Sequence, residues 1–371
     1  MAQDEFQLPT ATPESCGLRA ETLELAFDHL KVALASGSIS AAALEVTRNG
    51  KRVYRRVGGR LRPDETSPPL TEHAIFLVAS ITKPVTVCAL MQIVETGAVS
   101  LDDPVVKHLP EFRGGERGQV LVRHLLSHTS GLPDMLPENT ELRRRHAPLE
   151  DFVQASFKTP LLYSPGKGFD YQSMGTLLAA VIVERKTGLP LPDVFERKIF
   201  RPLGMTRSSL GIRGRRIEDT VWCGTTYPEE SESGKLYGAN TAYWRNIGNP
   251  WGGMHTTTGD LAVLLEVFLQ GGAVGERRIL RDETAKEMVR DQNSALEAPW
   301  GLGWALAGSK IWNDMGEHVS PRTFGHTGAT GTVAWADPSR HLACVVLTNS
   351  RVEDGALLRR VSDSVGAAVV K

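Results

Sequence analysis

Apolar residues recur at helical spacing across residues 19–35, where Leu23, Ala26, Phe27, Leu30 and Leu34 fall on one face and Gly37 closes the segment. The pattern then changes period. Ala42–Arg48 and Arg52–Val57 predict two strands around Asn49-Gly50, a dipeptide suited to the positive φ angles of a tight hairpin turn. Near the other end, Gly301–Ala307, Thr332–Ala336 and His341–Thr348 are short apolar runs, the last two joined through Asp337-Pro338-Ser339-Arg340. Residues 355–369 return to helical spacing with Leu357, Leu358, Val361, Val365 and Val369. Between these ends, segments 84–96, 121–128, 149–157, 173–187 and 258–270 predict helices separated by Gly- and Pro-rich loops. Residues 212–250 are polar and Gly-rich, and no element is assigned to them.

Strand-forming ends around a helical middle predict an α+β protein. One antiparallel sheet is built from both chain ends and flanked by helices, with an all-helical insertion between. The expected division places residues 1–83 and 291–371 in the sheet domain and 84–290 in the inserted one. A groove where the two meet is the expected place for a site.

The 371 residues carry 42 Lys+Arg against 43 Asp+Glu, a formal charge of −1. Near-neutral charge removes the electrostatic case for nucleic acid or an anionic membrane as partner. The cluster Arg143, Arg144, Arg145 is too short to restore it and is expected on a solvated helix face. No apolar run approaches the ~20 residues of a membrane span; the longest, Leu177 to Val183, suits a buried helix. The N-terminal Met1-Ala2-Gln3-Asp4-Glu5 has neither the basic start nor the apolar stretch of a secretory signal, so a cytoplasmic location is expected. Cys16, Cys88, Cys223 and Cys344 are scattered, without a C-x-x-C pair, and read as buried thiols. With no H-E-x-x-H and no G-x-G-x-x-G after a strand, neither a metal nor a nucleotide cofactor is expected. His124 and His128 are four apart and have ligand-like spacing, but a structural role near a turn is the expectation.

Three stretches carry candidate chemistry. In Phe76-Leu77-Val78-Ala79-Ser80-Ile81-Thr82-Lys83-Pro84, the proline fits a first helical turn, so a helix is predicted to start near Ser80. Ser80 and Lys83 then share a face, and a desolvated lysine can take a proton from the serine hydroxyl. The plainer reading is a helix cap beside a surface charge. Tyr171, in Gly168-Phe169-Asp170-Tyr171-Gln172-Ser173, sits on a turn entering a buried helix. Near cations its phenol can ionise well below its usual value of about 10 and act as a base; alternatively it is a core tyrosine with a bonded tip. Phe324-Gly325-His326-Thr327-Gly328-Ala329-Thr330-Gly331 reads as a Gly-rich turn or as an edge strand able to offer a backbone N–H to an oxyanion.

In their order, Ser80-Ile81-Thr82-Lys83, Tyr171-Gln172-Ser173 and His326-Thr327-Gly328 resemble the S-x-x-K, Y-x-N/S and K/H-T-G motifs of the serine beta-lactamase and penicillin-binding protein superfamily. The closer resemblance is to its class C-like branch, which includes family VIII carboxylesterases and D-aminopeptidase relatives. Leu101-Asp102-Asp103-Pro104, Val122 to Leu132, Pro202-Leu203-Gly204-Met205 and Gly252-Gly253-Met254 extend the likeness over roughly residues 15–365. The resemblance implies a beta-lactamase/transpeptidase-like fold. It also implies an acyl-enzyme on Ser80, with Lys83 and Tyr171 sharing the acid and base work, and an oxyanion hole from the N–H groups of Ser80 and Ala329. Gln172 and Ser173 would line the groove, with His326, Thr327 and Gly328 toward the substrate. Trp251, in a Pro-Gly loop, is expected to border the groove, and Trp300 or Trp304 to wall an acyl pocket.

Two departures set the substrate expectation. The third motif carries His326, mostly neutral at pH 7, where many relatives carry lysine, and Ser173 replaces a common asparagine. Both move weight from beta-lactams toward neutral esters. The leading expectation is a cofactor-independent carboxylesterase on short- to medium-chain acyl esters, with a small ester or amide as its partner. D-amino-acid amidase, D-aminopeptidase, D,D-peptidase or weak beta-lactamase activity is the alternative, and acyltransferase activity another. A catalytically silent binding relative is the reading from a different class.

Overall fold

A computed structural model describes residues 5–224 and 232–370 of the chain. Six strands form the principal sheet: β1 (Ala41–Arg48), β2 (Lys51–Gly59), β3 (Ala305–Leu306), β4 (Phe324–Gly328), β5 (Thr332–Asp337) and β6 (Leu342–Thr348). Their order is β2-β1-β6-β5-β4-β3, and each described pairing is antiparallel. The sheet therefore joins the two chain ends, β1 lying directly beside β6.

Asn49 and Gly50 both take positive φ (54° and 74°), the geometry that turns β1 into β2 in two residues. Strands β1, β5 and β6 are buried nearly throughout because helices cover both faces. Alternation sorts their side chains. Ala42, Leu44, Val46, Val333, Trp335 and Val346 join a core with the helices Ala20–Ala35 and Ala356–Ala367. Ala41, Ala43, Ala334, Ala336, Val345 and Leu347 face the opposite way, into the larger core that holds helix Thr258–Leu269. The alanines on this second face leave room for that helix. It starts at Thr257, whose side chain accepts from the Asp260 N–H at 3.2 Å.

The fold is a mixed one of antiparallel sheet and helices, as expected. Helix Thr258–Leu269, within the 84–290 segment, packs on β1, β5 and β6. The stretch Gly301–Ala307 supplies only the two-residue β3, because the backbone around Gly303 (φ 81°) turns before it pairs. Within 212–250 the chain forms short helices at Glu232–Tyr237 and Ala242–Asn246, and 225–231 lies outside the described residues.

Helix Thr82–Glu95 is buried on nearly every side and packs against helix Met174–Thr187, while the turn before it touches β4. It thus links the helical part to the sheet. Among the described residues no helix is long and apolar enough to cross a membrane. The four cysteines are buried and form no disulfide with one another.

Candidate active site

Phe76–Leu77 pairs with Met254–Thr256 in a small sheet, and the chain then enters a 3-10 turn, Ala79–Ile81, that runs into helix Thr82–Glu95. Ala79 holds φ 46°, a conformation that costs energy for a residue with a side chain and persists only where its surroundings enforce it. The enforcement is visible. Val78 N–H donates to Met254 O at 3.0 Å, and the Thr82 hydroxyl donates to Ala79 O at 2.6 Å. From β5 and the loop before it, Thr332 and Thr330 hydroxyls donate to Val78 O (3.1 Å) and Leu77 O (2.7 Å).

This turn presents Ser80 to a pocket of about 270 Å³. Lys83 is 1% exposed, and its Nζ donates to Ser80 Oγ at 3.1 Å and to Trp251 O at 3.2 Å. Burial drives the Lys83 amine down to about 7, against a smaller upward pull from Asp134. The amine is therefore substantially neutral at physiological pH.

Tyr171 approaches from the entrance to helix Met174–Thr187. Lys83 Nζ sits 4.6 Å from the centre of its ring, while the phenol oxygen faces Ser80 without a well-formed hydrogen bond. Here the direction differs from the expected lowering. Tyr171 is 6% exposed, and burial raises its phenol well above 10, outweighing the Ser80 hydroxyl. Among the described residues Lys83 is the one amine in contact with its ring, and with its own value brought down to about 7 it compensates little for the lost water.

Aromatic rings buttress this tyrosine. His128, Trp312, Trp300 and His326 lie 4.8, 5.6, 5.9 and 6.0 Å from it, centre to centre. His326 Nδ1 bonds Thr327 O at 2.7 Å, and burial together with Lys83 lowers its imidazole to about 3. It is neutral. The same two influences, with His326 added, hold His128 well below its ordinary range.

A family model described as Beta-lactamase matches residues 26–367. The chain belongs to the beta-lactamase family. It is a serine hydrolase of that family. A curated relative from Escherichia coli (strain K12), named "Putative D-alanyl-D-alanine carboxypeptidase", is 28% identical over 92% of this chain and 85% of its own length. A penicillin-binding protein homolog from Caulobacter crescentus superposes with a TM-score of 0.79 at 20% identity, covering 95% of this chain and 99% of the other. A family VIII carboxylesterase superposes with a TM-score of 0.73 at 19% identity, with the same coverage.

Within this beta-lactamase fold, the residues singled out from sequence separate into two groups. Ser80, Tyr171, Ser173, Trp251 and Ala329 line the pocket, and Lys83 lies directly beneath Ser80. Gln172, His326, Thr327 and Gly328 do not line it. Gln172 points into the helical core, where its side chain accepts from the Ser130 hydroxyl at 2.6 Å and donates to His124 O at 3.3 Å. His326 stands behind Tyr171. Thr327 Oγ1 accepts from the Asp314 N–H at 3.2 Å. Gly328 is a contact point: a Cβ there would meet Val78 O at 2.2 Å, so its bare backbone lets β4 press against the nucleophile turn. The third motif is strand rather than turn. β3 pairs only with Phe324 and Gly325, leaving the 326–328 edge outside that ladder.

Trp300 and Trp304 are core residues, Trp300 beneath Tyr171 and Trp304 against Phe268 and Phe324. His124 and His128 serve different backbone donors, Leu121 N–H and Gln172 N–H, each at 3.2 Å, and no three-residue metal cluster occurs among the described residues. Arg144 and Arg145 are exposed, but Arg143 is buried against the Trp244 ring at 3.7 Å and borders the pocket. Sequence reasoning missed Asp134, Trp244 and Trp312, which also line it. They come from loops and a short helix without periodicity, so only the folded chain brings them together.

Proposed function

We propose that the protein is a carboxylesterase that hydrolyses short- to medium-chain acyl esters through an acyl-enzyme on Ser80. The observation that carries this reading is Lys83 Nζ, 3.1 Å from Ser80 Oγ and held near neutrality by burial. The neutral amine takes the Ser80 proton as Oγ bonds to the ester carbonyl carbon. The carbonyl oxygen becomes an oxyanion, stabilised by the Ser80 and Ala329 N–H groups. The carbon–alkoxide bond then breaks, and the leaving alcohol receives a proton through the Lys83 and Tyr171 pair. Water adds to the acyl-enzyme, the acid departs and the Ser80 hydroxyl is restored.

Esters are favoured over beta-lactams because the third motif brings no cation to the pocket: His326 is buried and neutral. The likeness to a family VIII carboxylesterase supports the same choice. A D-peptide or D-amide substrate is the second reading, supported by the curated relative's name and differing only in the leaving group. Purified protein assayed with 4-nitrophenyl acetate and butyrate, a D-alanyl amide and a cephalosporin is expected to turn over the esters fastest, with Ser80→Ala as the blank. Ester turnover unchanged in Ser80→Ala overturns the reading, and a dominant amide rate transfers it to the second. Transfer to an added alcohol in place of hydrolysis identifies an acyltransferase, and no turnover or Ser80 labelling at all leaves a silent binding protein.

A further inference from the structure

The pocket beside Ser80 contains a carboxylate that the chemistry above does not use. Asp134 follows Gly131-Leu132-Pro133 in a loop and lines the pocket with Ser173. The two are tied twice: Ser173 N–H donates to Asp134 O at 3.3 Å, and Ser173 Oγ lies 2.6 Å from Asp134 Oδ1. An ionised carboxylate only accepts, so the serine gives its single hydroxyl hydrogen to Asp134. Hydrogen-bond acceptors are then what this corner presents, the second Asp134 oxygen and the lone pairs of Ser173. Among the described residues no protein donor bonds that second oxygen.

The remaining walls suit the same kind of ligand. Trp251 and Trp312 line the same pocket, and aromatic faces attract organic cations, as the Arg351 guanidinium 5.3 Å from the Trp312 ring centre illustrates. Arg143 is the opposing charge on the lining, with its guanidinium carbon 3.7 Å from the centre of the Trp244 ring. His326 supplies no cation.

From these contacts we infer that Asp134, braced by Ser173, is a specificity-determining residue that selects substrates whose acyl part carries a protonated amine. This deepens the esterase reading and rests on it for the chemistry, but the recognition itself needs no turnover. Neutral acyl esters fill the apolar part of the pocket and leave Asp134 unanswered. An aminoacyl ester adds a charge-assisted hydrogen bond to it.

The test is binding to the full chain, followed by quenching of the pocket tryptophans, with hexylammonium, 1-hexanol and hexanoate as probes. The wild type is expected to bind hexylammonium at least about tenfold tighter than hexanol, with hexanoate weakest, and Asp134→Asn to erase that preference. Equal affinity for the ammonium and the alcohol overturns the inference, as does tightest binding of hexanoate, which would assign the corner to Arg143. The wild-type ranking decides without any variant. A second arm compares 4-nitrophenyl 6-aminohexanoate with the hexanoate. The amine-bearing ester is expected to have the higher kcat/KM, by a ratio that falls about tenfold in Asp134→Asn. An ammonium preference in binding, together with ester turnover that survives Ser80→Ala, would sink the hydrolase chemistry and leave the recognition standing.

Discussion

Lys83 reaches Ser80 from inside the protein: its Nζ lies 3.1 Å from Ser80 Oγ, yet only 1% of the residue is exposed. Burial therefore sets the protonation of the base, since an ammonium loses its hydration there without a carboxylate in direct contact. With the amine near 7, kcat/KM for a neutral ester rises as pH increases through about 7 and levels above it. Lys83→Arg, which keeps its charge, is expected to lose at least about a hundredfold and the rise with it. A stopped-rate series between pH 5.5 and 9 measures both.

The same burial predicts a stability effect of defined sign. The folded value near 7 lies below the ordinary 10.5, so between these the unfolded chain binds the proton and the native chain does not. This group's cost is fully present below about 7 and is relieved as pH rises through that window. Lys83→Met is expected to melt at a higher temperature than wild type at pH 6, with the advantage shrinking toward pH 9, while losing activity. An advantage that grows with pH would contradict the burial argument.

Tyr171 stays protonated at neutral pH because burial raises its phenol. Its contribution is thus a hydroxyl that hands on protons rather than a standing phenolate. Tyr171→Phe is expected to cost about 10²–10⁴ in kcat/KM, while the residual rate keeps its rise near 7. Loss of that rise, with Lys83 intact, would show that the phenol is the ionising base.

Gly328 is distant in sequence from the nucleophile turn but packs against it in space, at Val78. Gly328→Ala drives a methyl group into Val78 O and Thr332 Oγ1, each 2.2 Å from the built position. A destabilisation of about 1–3 kcal/mol is expected, with a parallel fall in ester turnover as the Ser80 turn shifts. Gly118→Ala, which meets no atom within 4 Å, serves as the control and leaves both unchanged. Thermal melts and initial rates on the two variants decide it.

The fold was legible where periodicity and turn chemistry agree. Asn49-Gly50 marks its hairpin, and the spacing of Leu23, Phe27 and Leu30 marks a helix that lies within a residue or two of its predicted ends. The nucleophile turn was legible because Pro84 can stand only in a first turn. Side-chain direction was not. Gln172 and Ser173 are neighbours, yet one turns into the helical core and the other toward Asp134, a choice made by Ser130 and Asp134 from a separate loop. The phenol's direction also escaped, because desolvation depends on how completely Trp300, Trp312, His128 and His326 surround Tyr171. Such enclosure is a property of packing between segments distant in sequence.

A covalent ester on Ser80 Oγ is expected during turnover, and mass mapping reads it out. Protein mixed with 4-nitrophenyl butyrate, quenched in acid within the first turnovers and digested is expected to carry one butyryl group, on the peptide containing Ser80. Tyr171→Phe provides a slowed variant for the same trap. A butyryl group on another residue, or multiple turnovers with no acylated protein at any quench time, would rule out a Ser80 acyl-enzyme.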